Sequence, residues 1–140
     1  MTMNLYHTAL SGFAASVIWF VAGGALYMNP IVAGIYKNME TSPALKKWPS
    51  IPKYVGLQYA GTLAQCLLWS FVFSYIKTSL PETILLKTFL FGLILIATKI
   101  FPRFFDMWIQ STYPNKLLLI EFVNGVVGSF IIGGVFAYLI

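Results

Sequence analysis

Two residue types are almost missing from this chain. It holds one cysteine, Cys66, and one histidine, His7. A single cysteine excludes an intrachain disulfide and a dithiol redox pair. A single histidine excludes bis-histidine haem ligation, and the two residues together cannot build an ordinary zinc site. Charge is scarce as well. Only 9% of the residues are Asp, Glu, Lys or Arg, where soluble domains carry about a quarter. No glycine-rich phosphate loop occurs, and no Ser, Lys or Asp nucleophile stands beside a partnered base. Catalytic residues, metal ligands and a cofactor are therefore not expected, and an enzyme is the least supported class. The net charge of +5 is scattered over connecting segments. It argues for membrane topology and against nucleic acid.

What is abundant is apolar: 59% of 140 residues, with a mean hydropathy of +0.79. That points to an integral membrane protein with the lipid bilayer as its first partner. One domain, 1–140, is expected, because no polar stretch is long enough for a second. Four apolar runs, about 8–28, 54–76, 83–101 and 117–139, approach or reach the ~20 residues a spanning helix needs. The run from Ala9 to Met28 is too long for a signal-peptide core, and no Lys or Arg precedes it. The expected fold is all-α: an integral membrane four-helix bundle with an amphipathic interfacial helix before the last span.

The most patterned run is the last. Glu121, Gly125, Ser129, Gly133 and Ala137 recur every fourth residue. Residues so spaced share one helix face. A face of small residues lets another backbone approach closely. The spacing leaves open whether that neighbour is helix 1, helix 2 or another subunit. Gly12, Ser16 and Gly24 form a similar set in the first run, and Gly56, Ala60 and Ala64 in the second. Gln58, Thr62 and Gln65 share a further face of the second run, which should turn inward in hydrocarbon.

The connections have their own signals. Asn29-Pro30 ends the first helix, since proline disfavours helix in the residue before it. The loop after it carries Lys37, Lys46, Lys47 and Lys53 against one acid, Glu40. Tyr36, Trp48 and Tyr54 there suit the headgroup region. The 77–82 connection is short and makes an antiparallel hairpin of the second and third spans. Pro102 marks a break after the third span. Beyond it, Phe101, Phe104, Phe105 and Trp108 fall on one side of a helix, and Arg103, Asp106 and Gln110 on the other.

Four spans place both termini on one side. The Lys-rich first and third loops lie on the other, which the positive-inside rule assigns to the cytoplasm. Asn29, Gln58, Lys99, Arg103, Asp106, Glu121 and Asn124 all fall near that end of their helices. Ionisable groups at membrane depth cost about 3 kcal/mol each, so they turn inward and pair. Lys99 or Arg103 is the expected partner of Glu121, with Asn124 and Gln58 nearby. Such a cluster is either a structural ion pair or a vestibule for a polar headgroup, ion or small solute.

Gly24-Ala25-Leu26-Tyr27-Met28-Asn29-Pro30, with Gly34 and Tyr36 after it, resembles the end of the first helix in a bacterial family. These are small four-helix membrane proteins catalogued as domain of unknown function 1761. Leu26 stands where that family typically has tryptophan. The segment 114–134 is similar too, with a polar turn, a Lys-Leu-rich entry and a Gly-rich helix. Glu121 and Asn124 stand where the family usually has a small residue or asparagine. The resemblance implies an inner-membrane protein and supplies no activity. Two functions fit these features. One is binding of a small polar or lipid molecule, or service in a transport assembly. The other is an accessory subunit docking a membrane protein or a second copy.

Overall fold

The computed structural model describes residues 4–140. Among these described residues six α-helices succeed one another: α1 Leu5–Tyr27, α2 Pro30–Asn38, α3 Ile51–Ile76, α4 Ile84–Leu95, α5 Phe101–Gln110 and α6 Asn115–Leu139. A π-helical turn, Ile96–Ile100, joins α4 to α5, so that Ile84–Gln110 is one continuous helix. Four helices are long and apolar enough to cross a membrane: α1, α3 with its 3₁₀ extension to Ser79, α4 through α5, and α6. The molecule is an all-α bundle that fits a multi-pass membrane protein.

Two connections differ from the sequence-based expectation. Asn29-Pro30 ends α1 and also starts α2. Asn29 accepts a hydrogen bond from the Ile31 N–H at 2.9 Å, and Pro30 occupies the first helical position. Its missing N–H would have had no helical partner there in any case. The first part of that loop, Pro30–Asn38, is therefore a nine-residue helix. Pro102, in turn, breaks nothing. The Phe101 N–H bonds to the Ile96 carbonyl, five residues back. This wider turn precedes the proline and lets the helix run on through it. Insertions of this kind are a recognised way for a helix to accommodate an irregularity.

Helix α6 is central. It packs on α1 along one side and on α4 along the other, while α3 leans on α1. The small-residue track, which recurs every fourth residue, thus finds its partner in α4 and the π turn, not in the first span, α1, or the second, α3. A β-carbon on Gly133 would lie 2.9 Å from the Thr88 carbonyl oxygen, and one on Gly125 would lie 2.7 Å from the Ile100 side chain. Ser129 and Ala137, at the same spacing on that face, are buried. Gly128, off the track, faces α1, and a β-carbon there would meet the Trp19 indole at 2.5 Å. The α1–α3 pair closes through Gly12, which lies against Leu67 and Ser70.

At the end formed by the first turns of α1 and α4, the bundle is sealed by rings. Phe73, Phe91 and Phe136 are fully buried, and their centroids are 4.9 to 5.9 Å apart. Phe73 and Phe91 meet edge to face and the other two pairs are tilted; aromatic pairs add about 0.5–1.5 kcal/mol each beyond the burial itself. Here α3 meets α4, through Trp69 and Phe73 against Phe91. Hydroxyls in this apolar surrounding are satisfied locally. Thr8 bonds Ser74 at 3.0 Å, and Ser70 donates to the Leu67 carbonyl at 2.7 Å.

Candidate functional site

Away from the aromatic seal, α3 diverges from α4 and α5. Between them lies a cavity of about 1060 Å³ at the end that carries α2 and the α5–α6 turn. One wall is the face of α3 that holds Gln58, Thr62 and Gln65, the face expected to turn inward. The opposite wall holds Lys99, Ile100, Arg103 and Phe104. Glu121, Asn124 and Gly125 of α6 line the back, and Trp19, Gly23, Gly24 and Tyr27 of α1 complete it. The segment between α2 and α3 adds Lys46 and Trp48, whose ammonium and ring are stacked at 4.5 Å.

Gln58, Lys99, Arg103, Glu121 and Asn124 therefore share one cavity. Two residues of the expected cluster do not join it. Asn29 is occupied as the cap of α2. Asp106 is exposed on α5 and does not line the cavity. Lys99 does not pair with Glu121 either. The ion pair is Arg103 with Glu121, at 3.3 Å, with Arg103 69% exposed and Glu121 22% exposed. An exposed pair of this kind contributes about 0–1 kcal/mol.

The second partner of Glu121 is a tyrosine. Tyr113 donates its phenol hydrogen to the other carboxylate oxygen. Tyr36 faces Tyr113, and the Tyr27 and Tyr36 rings stand edge to face at 5.7 Å. Burial raises the pKa of Tyr36 above the ordinary tyrosine value, and the neighbouring phenols and Glu121 add to the shift. Burial likewise raises that of Tyr113, and its hydrogen bond to Glu121 raises it further. Both remain neutral hydrogen-bond donors throughout the physiological range.

These phenols escape a reading of the sequence. Tyr36 and Tyr54 read as headgroup anchors, yet both line the cavity, as does Trp48. The available signal is the recurrence of tyrosine where helices end beside the cluster: Tyr27, Tyr36, Tyr54 and Tyr113.

Lys99 and Asn124 stand apart electrostatically. Lys99 is half-buried within the Ile84–Gln110 helix. Among the described residues no carboxylate lies within 4 Å of its ammonium. Asn124 is 6% exposed, and its amide nitrogen has no hydrogen-bond partner among the described residues. It lies near the Tyr27 hydroxyl, in a geometry short of a hydrogen bond. Leaving such a group unpaired costs about 1–3 kcal/mol. Cys66 is buried in the cavity wall and packs as a small apolar side chain. Among the described residues no group of His, Cys, Asp and Glu could hold a metal ion.

Comparison of the chain with protein-family models, curated proteins and solved structures finds no match.

Proposed function

We propose that this protein is a multi-pass inner-membrane protein that binds a small polar or lipid molecule in a cytoplasm-facing cavity, alone or within a transport assembly. The observation that carries this reading is the cavity itself. Its size, about 1060 Å³, lies just above the ~300–1,000 Å³ usual for ligand sites, and it gathers most of the polar groups found at membrane depth. A bundle held together only by packing has no need of such a space. The proposed orientation puts the Lys-rich connections in the cytoplasm and both termini outside. It keeps the chain in the company of the domain of unknown function 1761 proteins, whose first-helix ending it resembles.

Native mass spectrometry of the detergent-purified protein tests the reading. A retained small molecule is expected in the wild type and not in Thr62→Trp, which would fill the cavity from α3. Equal spectra for a folded Thr62→Trp and the wild type would exclude the cavity as the binding place. Orientation is checked by labelling single cysteines at Lys46 and Lys87 in a Cys66→Ala background. Labelling of both from one side of the membrane would rule it out.

A second reading has its own observation. Gly56 and Gly61 on α3 have open space where a side chain would be, and Ala60 and Gly61 beside each other are exposed. A small-residue face left uncovered within the chain suits an accessory subunit docking another membrane protein or a second copy. Gly61→Trp would then abolish an oligomer or complex seen by cross-linking in membranes, while leaving the monomer folded.

A further inference from the structure

We propose that the cavity takes an anionic amphiphile: a lipid-like molecule whose phosphate or carboxylate head sits at Lys99 and whose apolar chain lies between α3 and α5. This rests on the reading that the cavity binds a ligand, and it names the ligand's chemistry.

Charge is the first argument. The lining holds three cations, Lys46, Lys99 and Arg103, against one carboxylate, Glu121. That carboxylate is committed, one oxygen to Arg103 and the other to Tyr113. Lys99 is left half-buried in a spanning helix without a counter-charge among the described residues. Cations at that depth pair, or else mark the place of a charged substrate. The backbone under Lys99 is the π turn, a feature frequent at functional sites.

Hydrogen-bond polarity is the second. The buried Asn124 amide nitrogen is a donor without an acceptor among the described residues. The Tyr27 and Tyr36 phenols, which line the same cavity, can donate as well. A site with ammonium, amide and phenol hydrogens to offer matches a head built of acceptor oxygens.

Shape is the third. A free anion would occupy only the polar corner. The remainder is walled by Trp19, Phe20, Val55, Ile100, Phe104 and Ile132. α3 and α5 face each other across the cavity without packing together. That flank gives an apolar chain a way in from the bilayer, and an apolar wall favours its burial over that of water.

The test is thermal unfolding of the whole protein in a neutral detergent. The added probes are phosphatidylglycerol, phosphatidylcholine, monoolein and glycerol phosphate. Phosphatidylglycerol is expected to raise the midpoint with an apparent affinity about tenfold or more above monoolein, which lacks the charged hydrogen bond, and to exceed phosphatidylcholine, whose choline cancels the head's charge, and glycerol phosphate, which has no apolar chain to bury. Lys99→Gln should remove that preference, and Lys99→Arg should keep it. Phosphatidylcholine and monoolein acting as strongly as phosphatidylglycerol would overturn the anionic head and leave the cavity reading standing. Glycerol phosphate acting as strongly would overturn the apolar chain. No shift with any probe would overturn both the inference and the reading beneath it. If Lys99→Gln does not fold, the ranking of the four probes on the wild type still decides.

Discussion

The backbone of Gly133 lies so near that of Thr88 that a β-carbon on the glycine would sit 2.9 Å from the threonine carbonyl oxygen. A carbonyl inside a helix has no side-chain freedom with which to move aside. Gly133→Ala must therefore push α6 from α4, at a cost of about 1–3 kcal/mol. Gly61→Ala is the control, since nothing stands within 4 Å of the added carbon. There helix propensity alone acts, and it favours alanine by up to about 1 kcal/mol. Unfolding of both variants in detergent should move in opposite directions.

The two bonds to Glu121 should be unequal. Arg103 is 69% exposed, so Arg103→Gln should cost no more than about 1 kcal/mol. Tyr113 is the better shielded of the two, and a hydrogen bond to a charged group contributes about 1.5–3 kcal/mol. Tyr113→Phe should therefore be the more damaging change. Equilibrium unfolding of both in the same detergent checks the order, and a reversed order would mean that charge, not the phenol, holds Glu121.

Alkali should act through Tyr36. Its pKa is raised in the folded protein, mainly by burial. The folded state therefore holds the phenol proton more tightly than the unfolded state does. The associated stability is intact below the unfolded tyrosine value of about 10, and it falls as pH climbs above that. Unfolding midpoints taken from pH 8 to 11 should drop more steeply for the wild type than for Tyr36→Phe. Parallel curves would show that Tyr36 is not shielded.

The spans were legible because hydropathy is local: each apolar run sits inside a helix of the structure to within a few residues. The small-residue track was legible as a contact, but its partner was not. Choosing α4 depends on where the Thr88 carbonyl lies, and no spacing in α6 encodes that. Asn29 illustrates a different limit. Its side chain can join a cluster or cap a helix, and the choice turned on whether the chain after Pro30 is helical. The tyrosines were missed for a third reason. A ring at a helix end looks the same in sequence whether it faces headgroups or a cavity, and Tyr27, Tyr36 and Tyr113 meet only because three separate parts of the chain converge.

The π turn has one more consequence, which concerns phase. Each residue of an α-helix advances its side chain by about 100°. The turn at Ile96–Ile100 spends one residue more than an α-helical turn would. A helix lacking that residue would carry Arg103 and Phe104 about a quarter-turn or more around the axis, away from Glu121 and Phe122, which they now meet. One extra residue thus sets the angle between two halves of a helix. The half before it keeps α4 in register with the glycines of α6, and the half after it can aim at the cavity independently.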